Sequence, residues 1–335
     1  MRLSTAALDR LLAALVLAQL VTGFLTLRAG TPSSAALFVA HGLIGGTLLA
    51  AVVVKLRRST PAAWRARRWG RLALGLLLGL LVGGALAGGF GWVVSGRILS
   101  LGPWTILTLH IWAALAVIPV IVLHLLPARW RLVRPPRRHS SEPLLTRRTV
   151  LGTALLAAAG GAAWIGATLL ESTQGGIRRF TGSRLLPDGG VPPVTTFFGE
   201  GTPHLDRDAW RLRVRGRVAR PLELDLASLR SLGQAQLDPV LDCTSGWALR
   251  TRWTGVPMQS LLAAAAPTAE ATHVIVRSVT GWSTDLSLDE AAGCLVALEV
   301  AGVPLPDGNG APARLVVPTR RGLDWVKWVE EIAVS

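Results

Sequence analysis

The stretch WTILTLHIWAALAVIPVIVLHLL, residues 104–126, holds no Asp, Glu, Lys or Arg in 23 positions. A helix of about 20 residues covers the ~30 Å hydrocarbon core of a bilayer, so a run this long and this apolar reads as a membrane span. Working outward, four more runs of the same kind appear: Leu8–Leu27, Ala35–Leu56, Leu72–Val94 and Val150–Leu170. With 335 residues, 50% of them hydrophobic, the chain has room for two domains but is too apolar for two ordinary soluble ones. The expectation is an all-α transmembrane bundle of four helices plus a fifth anchoring helix, followed by a domain of another kind.

Charge orients the bundle. The net charge of +15 is unevenly spread: residues 1–148 hold 18 Lys/Arg against Asp9 and Glu142, whereas 149–335 hold 17 against 18 acids. The excess lies in Lys55–Arg71 and Arg129–Arg148, with seven cations each, while the short loops at Arg28 and Arg97 carry one each. Lys/Arg-rich loops stay in the cytoplasm. The N-terminus is therefore expected inside and the residues after about 171 outside, which points to a bacterial inner membrane with the last domain on its periplasmic or extracellular side. Because the excess charge follows membrane topology, it gives no reason to expect a nucleic-acid partner.

Punctuation divides the rest. Pro135-Pro136 and Ser140-Ser141 break the chain after the fourth span. The expected domains are a four-helix membrane domain over 1–128, a basic cytoplasmic linker over 129–148, a fifth transmembrane helix over 149–171, a tether over 172–200 and a last domain over 201–335. Arg147 and Arg148, just before the fifth span, resemble a twin-arginine export signal, which would imply the twin-arginine machinery as a partner; ordinary positive-inside anchoring is the alternative. In the last domain, Trp210–Arg215 alternates with period two. His273–Val279, Leu295–Val300, Arg314–Val317 and Trp325–Ile332 also read as strands, with helical pieces at Asp225–Leu232 and Met258–Ala266. This predicts an α+β, mostly β, fold.

Three histidines fall in predicted spans, where a polar side chain needs a reason. His110 and His124 are 14 residues apart, which brings them to within roughly 40° of one helix face and about 21 Å apart along the axis. That spacing resembles the fourth helix of diheme b-type cytochromes. His41, near the outer end of the second span, is level with His110, but 14 residues beyond it stands Lys55. The expectation is one b haem between His41 and His110, with His124 left for a second haem or a quinone site. Interhelical hydrogen bonding is the alternative. The first span resembles the opening helix of bacterial membrane cytochromes that serve dehydrogenases, without its histidine.

Cys243 and Cys294 are the two cysteines, and an outer compartment leaves a disulfide between them open. The neighbours of Cys243 suggest otherwise. LDCTSGW at 241–247 precedes WTGVPM at 253–258, then Val303–Pro306, GAPARLVVP at 310–318 and GLDWVKW at 322–328. In this order the segments resemble the sulfite-oxidase family of molybdopterin enzymes, and within it the short bacterial form typified by periplasmic methionine-sulfoxide reductase catalytic subunits. The resemblance implies a molybdenum–molybdopterin cofactor whose one protein thiolate is Cys243. It makes Arg314, Arg320, Arg321 and Lys327 candidates for contacting the pterin phosphate or an anionic substrate, and His204 a candidate pterin contact. Cys294 reads as a small buried residue and His273 as structural.

Departures shape the functional expectation. The family's opening segment usually pairs aromatics with Arg, Asn and His; here Phe197-Phe198 runs into Gly199–His204 without the Arg and Asn. The chain contains no Tyr, so the tyrosine that assists sulfite oxidation is missing. The resemblance therefore favours a molybdopterin-dependent oxidoreductase that reduces a small-molecule or protein sulfoxide, or an N-oxide, and exchanges electrons with quinone or quinol through the haem. A molybdenum dehydrogenase feeding quinone, and a membrane cytochrome bearing a cofactor-free binding or assembly domain, are the alternatives.

Overall fold

The computed structural model of the chain describes residues 3–67, 69–125, 146–175, 177–195 and 200–335. Most of the predicted linker 129–148 and the stretch Phe197-Phe198-Gly199 lie outside the described residues. The chain divides into two compact units: Met1–Thr26 with Ser33–Arg184, and Leu27–Pro32 with Leu185–Ser335.

The first unit is helical. Helices α1 (Thr5–Arg28), α2 (Ala35–Arg65), α3 (Trp69–Val94), α4 (Ile106–Leu125) and α5 (Arg147–Thr173) each contain a segment long and apolar enough to cross a membrane. Two ends differ from the sequence reading. Trp104 and Thr105 form strand β2 (Trp104–Thr105), paired with β1 (Ser100–Leu101), so α4 begins later than the apolar run. Helix α2 continues through a basic segment to Arg65, because the end of an apolar run marks where lipid stops and not where helical hydrogen bonding stops. Small residues let α2 and α5 touch backbone to backbone. A Cβ on Gly46 would sit 2.2 Å from Gly160 O, and one on Gly160 would sit 2.2 Å from Thr47 N. Without a hydrophobic drive between helices in lipid, such close approach is a main source of association.

At one end of this unit a charge cluster ties helices to the chain that follows. Arg184 is buried, pairs with buried Glu171 of α5, and donates to Trp92 O at 2.8 Å and Val93 O at 3.1 Å. Those carbonyls belong to the last turn of α3, where a cation satisfies orphan acceptors and the helix dipole together. Arg178 adds a second cation, 2.6 Å from Glu171.

The second unit is α+β, mostly β, and its strands follow their alternation. One sheet has the order β11 (Ser283–Ser287), β10 (His273–Ser278), β15 (Val329–Val334), β4 (Leu212–Gly216), β5 (Leu222–Leu224), with β15 and β4 parallel. In β4, Leu212 and Val214 are buried while Arg213 and Arg215 face out. A second sheet has the order β13 (Val303–Pro304), β12 (Leu295–Val300), β9 (Trp253–Pro257), β6 (Ala235–Leu237), and β14 (Arg314–Val316) also pairs with β12. Central β12 is buried on both faces, hence its unbroken apolar run. Short helices α6 (Leu226–Ser231), α7 (Met258–Ala265) and α8 (Leu288–Ala292) cover the edges.

The third sheet has the order β3 (Arg184–Leu185), β8 (Trp247–Arg250), β7 (Val240–Asp242). Residues read as tether belong to the fold: Leu186 N–H donates to Ala248 O and Gly189 N–H to Arg250 O, each at 2.9 Å. The glycines and prolines that suggested a linker flank a two-residue strand. Likewise Trp325–Trp328 is not strand. It is a loop in which Trp325 and Trp328 are fully buried and Trp328 has φ +50°, so aromatic burial had imitated a β pattern.

Candidate active site

Cys243 sits in the hairpin joining β7 to β8. Cys243 N–H donates to Trp247 O at 2.8 Å, and Gly246 N–H donates to Cys243 O at 3.0 Å. Gly246 takes φ +102°, a left-handed conformation that glycine adopts without strain. The turn buries the thiol beside Ser245, whose Oγ lies 3.0 Å from Cys243 Sγ. Below it, Arg321 donates to Asp242 Oδ1 from Nε (3.1 Å) and Nη2 (3.0 Å), and to Cys243 O at 3.1 Å. Arg321 and Asp242 are both buried, so the pair fixes the backbone on either side of the thiol.

Two cations, Arg314 and Lys327, stand beside one another in this domain. Arg314, on β14, is 4% exposed. Its guanidinium lies 5.2 Å over the Trp253 ring and 5.9 Å from that of Trp325, and Nη1 donates to Asn309 O at 3.1 Å. Its Nε is buried without a hydrogen-bond partner among the described residues, as is Trp253 Nε1. Burial pushes the Arg314 guanidinium down to about 10. Lys327 donates from Nζ to Thr195 O and Gly308 O, both at 2.7 Å, and burial together with the nearby Arg314 charge lowers it to about 8; Glu200 and Cys243 pull the other way. Gly310, at φ +108°, passes between them: a Cβ there would lie 3.0 Å from Lys327 Cα and 3.3 Å from Arg314 Cβ. A buried and a half-buried cation side by side, one with an unsatisfied donor, fit an anionic group, which would supply the missing acceptor and charge.

Residues 199–335 match the family of the oxidoreductase molybdopterin binding domain. The last domain is a molybdopterin-binding oxidoreductase domain. Among curated proteins, the chain is 34% identical over 143 residues to the protein-methionine-sulfoxide reductase catalytic subunit MsrP of Gluconobacter oxydans (strain 621H), covering 37% of this chain and 46% of that protein. The chain thus spans less than half the length of this relative. Among solved structures, the sulfane dehydrogenase SoxCD of Paracoccus pantotrophus aligns with 24% identity and a TM-score of 0.39 over 40% of each chain.

Within the molybdopterin-binding domain the sequence candidates separate. Arg314 and Lys327 come together on either side of Gly310. Arg321 reaches the Cys243 loop but already holds Asp242. Arg320 is engaged elsewhere: it pairs with both oxygens of Glu290 and donates to Asp285 O at 3.0 Å. His204 is 84% exposed and 2.8 Å from Asp307, whose hydrogen bond raises the imidazole's affinity for a proton. Cys294 is buried, with burial and Glu290 pushing its thiol up to about 12, and no disulfide joins it to Cys243. Ser245, Asp242 and Trp253 were not singled out from sequence, although each lies inside the quoted segments. Their one signal was adjacency to Cys243 or to the Trp-x-Gly motif.

In the helical unit, the His41 and His110 ring centres are 6.2 Å apart with planes at 87°. Thr22 of α1 gives its hydroxyl hydrogen to backbone, leaving its oxygen to accept from His41 Nδ1 at 2.8 Å. His110 Nδ1 donates to Ala85 O at 2.6 Å. Both rings therefore keep Nε2 as the lone-pair nitrogen, with the Gln19 amide 3.4 Å from that of His41. His124, near the end of α4, shares its surroundings with Lys55 and Asp9, which form an ion pair at 2.5 Å. The position that would oppose His124 in a second haem site thus holds a paired lysine.

Proposed function

We propose that the chain is a membrane-bound, molybdopterin-dependent oxidoreductase that reduces S- or N-oxides, with electrons drawn from the quinone pool through one b haem. The observation that carries this reading is the pair of cations on either side of Gly310, buried Arg314 and half-buried Lys327, with Arg314 Nε lacking a hydrogen-bond partner among the described residues. When bound, molybdenum supplies two-electron oxygen-atom transfer. Cys243 would ligate the metal as a soft thiolate, Arg314 and Lys327 would hold the pterin phosphate, and Asp242 and Arg321 would keep the thiol loop in place. Reducing a sulfoxide consumes two electrons and two protons and releases the sulfide and water. The MsrP relative, named for protein methionine sulfoxide, makes that the first substrate to test.

The division proposed is a membrane domain over 1–128, linker 129–148, fifth span 149–171, and catalytic domain outside. Five long apolar helices support membrane attachment. Arg147 and Arg148 occupy the first turn of α5, where cations oppose the helix dipole, so their placement serves topology or export better than helix stability. His41 and His110, with ring centres 6.2 Å apart and Nδ1 of each engaged by Thr22 and by Ala85 O, are the residues that would hold the haem iron.

Metal and haem quantification on one preparation of the full chain, followed by reoxidation with methionine sulfoxide and a panel of S- and N-oxides, tests the proposal. Stoichiometric molybdenum and reoxidation are expected. Absence of molybdenum would leave the cofactor-free binding module as the reading, and reduction of the haem by a substrate without oxide would reverse the direction of electron flow.

A further inference from the structure

The hairpin between β7 and β8 holds a hydroxyl against the sulfur. Ser245 is 7% exposed and its Oγ is 3.0 Å from Cys243 Sγ. Backbone hydrogen bonds from Cys243 N–H to Trp247 O and from Gly246 N–H to Cys243 O close the turn between them. The closed turn sets the two side chains next to each other. With a protonated thiol either atom can donate. A metal-bound thiolate carries no proton, so only the serine can.

We infer that Ser245 is a positioning residue for the metal thiolate: its hydroxyl donates a hydrogen bond to Cys243 Sγ, draws electron density from the sulfur, and raises the reduction potential of the centre. Hydrogen bonds to coordinating sulfur and partners just outside the ligand set tune metal centres in this direction. The inference rests on the molybdopterin reading above and adds a residue that the family match does not single out.

The test compares full-length wild type, Ser245→Ala and Ser245→Thr, each measured for molybdenum content and then titrated with redox mediators while the Mo(V) EPR signal is followed. Ser245→Ala should show a lower midpoint potential, or lose molybdenum, while Ser245→Thr, which keeps the hydroxyl, stays at the wild-type value with full metal. An unchanged potential in fully loaded Ser245→Ala overturns the inference. So does an equal shift or equal metal loss in both variants, because the hydroxyl would then not be the group that matters. A wild-type protein without molybdenum instead overturns the parent reading, which keeps the two failures apart.

Discussion

Arg314 lies with its guanidinium 5.2 Å over the face of Trp253, and in this pair both Arg314 Nε and Trp253 Nε1 are buried without hydrogen-bond partners among the described residues. The ring's negative face compensates part of the charge; the rest is a cost to the cofactor-free protein. Arg314→Met should therefore stabilise the cofactor-free protein, by about 1 kcal/mol or more, while reducing molybdopterin retention. Thermal melting of cofactor-free protein and metal content of loaded protein measure the two effects, and a less stable variant would contradict the account.

Cys243→Ser should abolish turnover and leave the melting temperature of the cofactor-free protein close to wild type, since the replacement is similar in size and Ser245 can still hydrogen-bond to it. Full activity in this variant would remove Cys243 from the metal.

Lys327 sets a pH dependence whose sign follows from its lowered affinity for a proton. In the cofactor-free fold it titrates near 8, against 10.5 for an ordinary lysine. Between those values the unfolded chain binds more protons than the folded one, so stability should rise as pH climbs from about 8 towards 10.5. Binding of an anion such as pyrophosphate should weaken over the same window as the charge is lost. Denaturant midpoints and anion titrations at pH 7, 8.5 and 10 check both, and a stability flat across that range in Lys327→Met would identify the lysine as the source.

His41→Ala and His110→Ala should each eliminate the reduced b-type α-band from membranes, whereas His124→Ala should retain it, because His124 faces the Asp9–Lys55 pair and not another imidazole. Spectra of all three variants at matched expression decide this, and loss of the band only in His124→Ala would move the haem to the other end of α4.

Glu171→Ala leaves Arg184 buried without a carboxylate, and removing one partner of a buried ion pair costs about 3–5 kcal/mol. The helical unit should lose thermal stability in detergent, with Arg178 unable to compensate because it is itself a cation. Glu171→Asp should recover part of the loss.

The sequence was informative where one physical demand acts on many consecutive residues. Lipid requires about twenty apolar residues per span, and β12 or β4 must satisfy a sheet with one or two buried faces, so these elements were legible. Cys243 was legible through its neighbours. The short strand at Arg184–Leu185 was hidden because two residues cannot establish a period, and the Trp325–Trp328 loop misled because aromatic burial occurs in loops as well as strands. Charged side chains were the least legible of all. Arg314, Arg320 and Arg321 look alike in sequence, yet among the described residues one keeps an unsatisfied buried Nε, one is held by Glu290, and one braces Asp242. Only three-dimensional pairing distinguishes a cation available for a ligand from one already neutralised.

The backbone contact between Gly46 and Gly160 bears on the order in which the molecule is assembled. Helix α5 packs on α2 through this contact, so the helical unit is incomplete until α5 is in place. If Arg147 and Arg148 direct export of the domain that follows, closure of the α2–α5 contact waits on that export.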